Sequence, residues 1–229
     1  LYKKMSFARR IFLWSKGRFF GEALRSLNVP QRYAIALYDE EEVPSAEELR
    51  PRLFLSDEEK AWAGEQLTAL REESRPLVAL HPFATHSAKS WPVERWLAFA
   101  DQLREHGIPY FWVGRGDALP EREAARSFVN ATDLRQLSAL IHEADVLVTG
   151  DSGPMHLANG VDTPVLAMFG PTCREWGFFP SGPNDRVIQL DMPCRPCSLH
   201  GSGTCSKGNA CIMDILPDRV LAELKEMLS

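Results

Sequence analysis

The sequence lacks the features of several large classes of protein. No apolar run in its 229 residues approaches the roughly 20 residues that a membrane-spanning helix needs, and no signal peptide is visible. It also lacks an excess of basic charge, because 26 Lys and Arg against 31 Asp and Glu give a net charge of −5. That balance offers no general electrostatic support for binding nucleic acid, so we expect no nucleic-acid partner. No internal repeat or low-complexity tract is present.

Cysteine is scarce outside one short stretch. Four of the five cysteines fall within residues 191–212: Cys194, Cys197, Cys205 and Cys211. This usage does not resemble a disulfide scaffold, so we expect a reducing, cytoplasmic setting. Four thiols with one Cys-x2-Cys pair are compatible with a structural zinc ion, or less readily an iron–sulfur cluster, with His200 as an alternative ligand. Free thiols remain the competing interpretation, because the other spacings match no common zinc finger.

Acidic residues are absent before Glu22, and the first 20 residues are basic and aromatic. The basic residues are Lys3, Lys4, Arg9, Arg10, Lys16 and Arg18, and the aromatic ones are Tyr2, Phe7, Phe12, Trp14, Phe19 and Phe20. Such a segment can make a peripheral contact with an anionic membrane surface. Because its helical periodicity is imperfect, we favour the alternative of a linker or a helix packed on a domain. The acidic residues 39–50, which include Glu40 and Glu41, are typical of a solvated linker.

From Pro76 onward, short apolar strands alternate with amphipathic helices. Strands are predicted at 77–81, 109–113, 145–149, 164–169 and 187–190. Helices are predicted at 56–73, where Ser56 and Glu59 form a capping box, and at 93–106, 121–128, 134–143, 154–159 and 217–228. This alternation predicts an α/β fold with a Rossmann-like parallel sheet covered by helices on both faces. Ligands of such sheets bind beyond the carboxyl ends of the strands.

Polar loops follow several of the predicted strands. After the first strand, the Thr85 hydroxyl and the Lys89 cation are suited to a diphosphate. After the second, Asp117 could bind ribose hydroxyls, although a role in forming the turn is commoner. The fourth loop reads Phe169-Gly170-Pro171-Thr172. Because such loops meet at one edge of a sheet, they predict a nucleotide-sugar site.

The loop after the third strand is the most informative. It reads Asp151-Ser152-Gly153-Pro154-Met155-His156-Leu157-Ala158 and opens a helix. Asp151 or Ser152 can cap this helix, and its free N–H groups favour an anion. Asp151 and His156 add a carboxylate and an imidazole at the same place. An ordinary capped helix with a satisfied histidine is the competing interpretation.

Three motifs, in this order and spacing, resemble one enzyme family. Lys89-Ser90-Trp91-Pro92, the Asp151–Ala158 segment and Phe169-Gly170-Pro171-Thr172 are similar to the C-terminal half of bacterial ADP-heptose:lipopolysaccharide heptosyltransferases, glycosyltransferase family nine. The resemblance covers roughly residues 30 to 229, and its most specific part is the Asp-Ser-Gly-Pro-Met-His stretch. It implies a GT-B glycosyltransferase, in which two Rossmann-like domains face each other across the active site.

The resemblance also implies roles for individual residues. Catalytic roles fall on Lys89, Asp151 and His156. Donor binding falls on Thr85, Lys89, Asp117, Asp151, Ser152, Gly153, Met155 and His156. Lys89 would stabilise the departing diphosphate, while Asp151 and His156 would hold sugar hydroxyls or phosphate. The implied partners are an ADP-sugar donor and a lipopolysaccharide core or other glycan acceptor, with no cofactor required for catalysis.

The opening of the chain departs from the family pattern. The family begins with a strand and a Gly-rich turn carrying a catalytic Asp, and residues 1–29 resemble neither. We therefore expect residues 1–75 to be a remnant of the N-terminal acceptor domain with a linker, most of that domain being absent, and residues 76–229 to be the donor-binding domain. A non-catalytic nucleotide-sugar-binding module is the alternative function, and a metal-binding interaction protein is a third.

Overall fold

The computed structural model describes residues 5–39, 42–71, 74–202 and 204–229. Parts of four sequence-based interpretations fall outside these ranges. They are Tyr2, Lys3 and Lys4 of the basic segment, Glu40 and Glu41 of the acidic stretch, the last two residues of the predicted helix 56–73, and Gly203 of the cysteine-rich stretch. Across the described ranges, no helix combines the length and apolarity needed to span a membrane.

Within the described residues, five parallel strands form one sheet. They are β1 (Val78–His81), β2 (Tyr110–Trp112), β3 (Val146–Gly150), β4 (Val165–Phe169) and β5 (Arg186–Gln189), in the order β2-β1-β3-β4-β5. The chain places β2 on one side of β1 and then returns to place β3 on the other side. Such a reversal of strand order leaves a crevice between β1 and β3 at the carboxyl ends of the strands.

Both faces of the sheet are buried, because alternate residues of each strand enter opposite cores. Val78 and Leu80 of β1 pack with α5 (Val93–Glu105) and α9 (Pro217–Met227). Leu77 and Ala79 enter the other core, with α4 (Asp57–Leu67), α6 (Leu134–His142) and α7 (Gly153–Gly160). The predicted parallel α/β fold with helices on both faces is therefore confirmed.

The capping residues explain where two of these helices begin. Ser56 accepts a hydrogen bond from the Glu59 N–H while the Glu59 carboxylate accepts from the Ser56 N–H, which confirms the predicted capping box of α4. Asp133 and Gln136 form the same arrangement at the start of α6. The helix predicted to reach residue 73 ends sooner, at Leu67, where the Thr68 and Leu70 N–H groups donate to carbonyls only three residues earlier instead of four.

Residues 121–128, predicted to be helical, form a 3₁₀ helix over Glu121–Arg126. The fully buried Glu123 carboxylate accepts hydrogen bonds at 2.8 Å from both the Tyr110 hydroxyl and the Trp112 indole N–H. Arg104 donates to the same carboxylate. These contacts attach the segment to β2 and α5 through the Glu123 side chain, which its apolar periodicity does not indicate.

The N-terminal segment packs onto the α/β unit as three short helices: α1 (Ser6–Trp14), α2 (Gly21–Arg25) and α3 (Val29–Ala34). Phe12 of α1 meets Trp176 edge-on, with ring centroids 5.6 Å apart. The fully buried Arg32 guanidinium donates to the carbonyls of Trp176 and Leu24 at 2.8 and 2.6 Å. The segment is thus a set of packed helices, as the favoured interpretation of its sequence proposed.

Candidate active site

Two adjoining cavities lie at the crevice between β1 and β3. The smaller, of about 300 Å³, is lined by Thr85, His86, Lys89, Asp151, Ser152, Gly153, His156, Phe169, Thr172, Cys173, Trp176, Phe178, Leu199 and His200. The larger, of about 860 Å³, extends toward the loop after β2 and the start of α6. Thr85, Ser152 and Gly153 line both cavities. Together they form one continuous crevice with room for an extended ligand.

An ion pair lies in the smaller cavity. The Lys89 ammonium is 2.6 Å from Asp151 Oδ2, and the two side chains are only 14% and 10% exposed. The Thr172 hydroxyl donates to the same carboxylate oxygen at 2.7 Å. Asp151 thereby holds Lys89 in the cavity before any ligand arrives, which reduces the conformational entropy that a bound anion would have to overcome.

The aliphatic part of Lys89 lies against the cysteine-rich loop. Gly201 has φ +80°, and a Cβ added there would lie 2.9 Å from Lys89 Cγ and 3.1 Å from Lys89 Cε. Only a glycine therefore leaves room for this path of the lysine side chain. The loop also contributes Leu199 and His200 to the smaller cavity.

The amino end of α7 opens onto the same crevice. Ser152 occupies the N-cap position, but no side chain caps the helix. The prediction that Asp151 or Ser152 caps α7 is therefore wrong: Asp151 is engaged by Lys89 and Thr172, and Ser152 Oγ lies 3.1 Å from Thr149 Oγ1 and 3.2 Å from His81 Nδ1. The uncapped end carries partial positive charge beside Lys89, and both favour an anion.

Two of the histidines that line the crevice, His81 and His156, are held toward their neutral forms. Burial lowers the pKa of His81 to about 4. Partial desolvation lowers the pKa of His156; the Asp151 charge opposes this and the Lys89 charge adds to it. The His156 ring also meets Phe178 edge-on, at a centroid distance of 6.5 Å. A neutral imidazole at this position can both donate and accept hydrogen bonds, as recognition of sugar hydroxyls requires.

The structure gathers six predicted site residues around the smaller cavity and separates two others. Those brought together are Thr85, Lys89, Asp151, Ser152, Gly153 and His156. Asp117 lies exposed on the turn after β2 and lines neither cavity of the crevice. The Met155 side chain is fully buried in the core beneath α7, because position 155 falls on the inward face of the helix. Met155 can face the crevice only through its backbone N–H.

Several crevice residues were missed by the sequence reasoning. Phe83, Arg115, Thr132 and Arg135 line the larger cavity, and Trp176 and Phe178 line the smaller one. Arg115 could have been predicted, because it follows the end of strand β2. Trp176 and Phe178 could not, because they reach the crevice only through the turn of a 3₁₀ helix over Arg174–Trp176. Thr172 lies in the fourth loop and had no predicted role, but its hydroxyl donates directly to Asp151.

The four clustered cysteines line a third cavity, of about 180 Å³, behind the cysteine-rich loop. All are free thiols. Burial, followed by the charges of the neighbouring Cys194 and Cys205, raises the pKa of Cys197. Among the described residues, however, no three His, Cys, Asp or Glu side chains are arranged to hold a metal ion. His200, the alternative zinc ligand, lines the crevice instead of this cavity.

A parallel sheet with an uncapped helix end at its switch point defines a Rossmann-like α/β unit. Residues 6–203 match the sequence model of glycosyltransferase family 9 (heptosyltransferase). The chain belongs to this family.

Curated relatives agree with this assignment. Lipopolysaccharide heptosyltransferase 2 of Salmonella typhimurium is 30% identical over 217 residues, which cover 87% of this chain and 61% of the relative. The Escherichia coli K12 protein of the same name is 29% identical over 222 residues, with 86% and 61% covered. This chain therefore spans about three-fifths of the length of these relatives.

Solved structures share the fold. The E. coli ADP-heptose LPS heptosyltransferase II superposes with a TM-score of 0.63 at 28% identity, covering 86% of this chain and 61% of that one. A family 9 glycosyltransferase of Veillonella parvula gives a TM-score of 0.61 at 18% identity, covering 77% and 53%, and at that identity it supports the fold alone.

Proposed function

We propose that this chain supplies the donor-binding part of an inverting glycosyltransferase. The enzyme would transfer heptose, or a related sugar, from an ADP-sugar to a lipopolysaccharide core acceptor. The observation that carries the proposal is the Lys89–Asp151 pair facing the uncapped amino end of α7 in one cavity. The names of the relatives supply the sugar and the acceptor.

The geometry suggests how the donor would be held. The diphosphate would bind between the Lys89 ammonium and the N–H groups at the start of α7, with the Thr85 hydroxyl within the same cavity. The nucleoside would extend into the larger cavity toward Phe83 and Arg115. The sugar would then lie near Asp151 and His156, whose carboxylate and neutral imidazole can bind hydroxyl groups.

The transfer itself follows from this placement. An acceptor hydroxyl, deprotonated by a carboxylate, attacks the anomeric carbon while the bond from that carbon to the ADP oxygen breaks. Negative charge accumulates on the departing diphosphate. Lys89 and the α7 N–H groups are already oriented toward that charge, so they would stabilise the transition state more than the ground state. The base would lie outside the crevice residues described here, in the acceptor-binding part of the enzyme.

The division of the chain is part of the same proposal. Residues 76–229 would form the donor-binding domain, and residues 1–75 would belong to the acceptor domain and its linker. Because α4 packs on α6, α4 belongs to the packed core of the donor domain although it precedes residue 76. Removing residues 1–75 would take away Ala63 and Leu67, both fully buried, and would expose residues of the same core such as Leu77 and Leu140, so we expect the truncated domain to be less stable than the whole chain.

A structural zinc ion at Cys194, Cys197, Cys205 and Cys211 remains a proposal. The shared cavity supports it, but binding would require the side chains to rotate into a tetrahedron. One zinc ion per chain in the purified protein, lost in a Cys194→Ser variant, is the expected result. A metal-free protein with normal stability would exclude it.

A peripheral membrane contact also remains a proposal. Phe7, Trp14 and Phe19 are 71%, 79% and 56% exposed, and the exposed Arg10 and Arg18 lie near them in the chain. Aromatic and basic side chains together suit an anionic bilayer surface. Sedimentation with anionic liposomes at low salt should be lost in a Trp14→Ser variant, and no sedimentation of the unmodified chain would remove the proposal.

Calorimetric titration with ADP tests the donor site. Lys89→Met keeps the aliphatic contact with Gly201 but removes the charge, so we expect ADP affinity to fall by at least about tenfold. Lys225→Met, at an exposed position on α9, is the matched control and should bind as the unmodified chain does. Preference for ADP over UDP would support an ADP-sugar donor. A folded chain that binds neither nucleotide would contradict the proposed function.

A further inference from the structure

The N-cap serine of α7 is held away from its own helix. Ser152 Oγ lies 3.2 Å from His81 Nδ1 and 3.1 Å from Thr149 Oγ1, and it donates to the Gly150 carbonyl at 3.3 Å. An N-cap side chain normally accepts from the N–H of the second or third helical residue. The second residue here is Pro154, which has no N–H, so the N–H of Met155 is the group that Ser152 would cap.

The register of β1 and β3 places two polar side chains where they draw the Ser152 hydroxyl away from the Met155 N–H. His81 is the last residue of β1, and Thr149 is paired directly with it on β3. His81 Nδ1 is 3.0 Å from Thr149 Oγ1, so the two side chains together offer Ser152 a polar partner beneath the helix end.

The imidazole has little freedom to turn away. On its far side, a Cβ added to Gly114 would lie 2.5 Å from His81 Cδ2, and the Phe83 ring packs edge-on at 5.8 Å. His81 is only 4% exposed. The ring orientation is therefore set by close packing on one side and by the two hydroxyls on the other.

We infer that His81 is a positioning residue for the donor site: with Thr149 it holds the Ser152 hydroxyl off the Met155 N–H, which leaves that N–H for the diphosphate of the donor. The inference rests on the proposed function, and it assigns His81 no contact with the substrate. The same arrangement explains why α7 has a serine at its N-cap position but no side-chain cap.

The inference requires that the loss of His81 act through Ser152. In a His81→Leu variant, the Ser152 hydroxyl loses its imidazole partner and keeps only Thr149 and the Gly150 carbonyl. We expect it to rotate onto the Met155 N–H, so that an incoming phosphate must displace it. The loss of a cap of ordinary strength corresponds to about a fivefold change in affinity, so ADP should bind about fivefold more weakly. Removing the hydroxyl as well, in His81→Leu/Ser152→Ala, should restore the affinity. His81→Asn, whose side-chain amide can occupy the Nδ1 position, should stay near the unmodified chain.

The experiment combines two readouts on these four proteins. Amide hydrogen exchange at Met155, followed by NMR, reports the cap without any ligand, and calorimetry with ADP reports binding. We expect exchange at Met155 to slow in His81→Leu and to recover in the double variant, in parallel with ADP affinity.

The possible results distinguish the role of His81 from the presence of the donor site. If the double variant binds ADP as weakly as His81→Leu, or if exchange at Met155 is the same in all four proteins, the positioning role is wrong. If exchange at Met155 changes as expected but the unmodified chain does not bind ADP, then the role of His81 stands and the proposed donor site falls.

Discussion

At the scale of single residues, the crevice is organised by partners that already bind one another. Lys89 is held by Asp151, Asp151 also accepts from Thr172, and the Ser152 hydroxyl is kept among His81 and Thr149. Each group is thus placed before a ligand arrives, which is the condition for stabilising charge without a further cost of reorganisation.

Burial of His81 predicts a pH-dependent stability. Its pKa is about 4 in the folded chain and 6.5 when exposed, so the unfolded chain binds more protons between these values. The contribution of His81 to the free energy of unfolding is therefore fully present above pH 6.5 and is lost as the pH falls toward 4. The slope for this one group approaches about 1.4 kcal/mol per pH unit.

Urea unfolding at a series of pH values measures this slope. A His81→Asn variant, which does not titrate, should show a shallower dependence over the same range. Equal slopes for His81→Asn and the unmodified chain would show that His81 is accessible to protons in the folded state.

At the scale of elements, the cysteine-rich loop is a wall of the crevice as well as a candidate metal site. Its Gly201 supports the Lys89 side chain, and its Leu199 and His200 line the crevice. The end of the loop also packs closely on Gly170. A Cβ added to Gly170 would lie 3.1 Å from Ile212 Cβ and 3.2 Å from the Ala88 carbonyl oxygen. Order in this loop and the position of Lys89 are therefore coupled.

Gly201→Ala tests that coupling. Its positive φ and the 2.9 Å approach to Lys89 Cγ mean that the added methyl group must push the lysine aside, so ADP affinity should fall several-fold. Gly208→Ala is a matched control in the same loop: Gly208 also has a positive φ, of +59°, but a Cβ there meets no atom within 4 Å. Both variants should lose about 1 kcal/mol of stability from backbone strain, but only Gly201→Ala should weaken ADP binding. Equal binding by the two variants would contradict the coupling.

At the scale of the whole molecule, the N-terminal helices are joined to the wall of the crevice. Arg32 of α3 donates to the carbonyls of Leu24, Glu175 and Trp176, and Arg25 of α2 pairs with the Glu175 carboxylate at 2.5 Å. Trp176 also lines the smaller cavity of the crevice. The N-terminal helices therefore contact the residues that shape this cavity.

Arg32→Lys should loosen this junction. A lysine keeps the charge but cannot reproduce the forked donation to three carbonyls, so the buried acceptors lose partners. We expect amide hydrogen exchange to accelerate in α2, in α3 and over Arg174–Trp176, while β1 and β3 keep their protection. Arg18→Lys, at an exposed position of the same segment, should change none of these rates. Uniform acceleration across the sheet would instead show that the helices and the sheet unfold as one unit.

The fold was largely predictable because it follows from short-range patterns. Short apolar runs mark β1 to β4, and Ser56 with Glu59 marks the start of α4; both depend on residues near one another in the sequence. The 3₁₀ helix over Glu121–Arg126 was not predictable, since Glu123 is held by Tyr110, Trp112 and Arg104, which other elements supply.

By itself, the sequence determined the alternation of strands and helices and the family, and it predicted six residues that line the crevice. These depend on local periodicity and on motifs, which are properties of neighbouring residues in the chain. The tertiary structure alone decided that Ser152 does not cap its helix, that Met155 faces the core, and that Trp176 and Gly201 shape the cavity. The physical reason is that hydrogen bonds and close packing join residues far apart in sequence, such as His81 with Ser152 and Lys89 with Gly201.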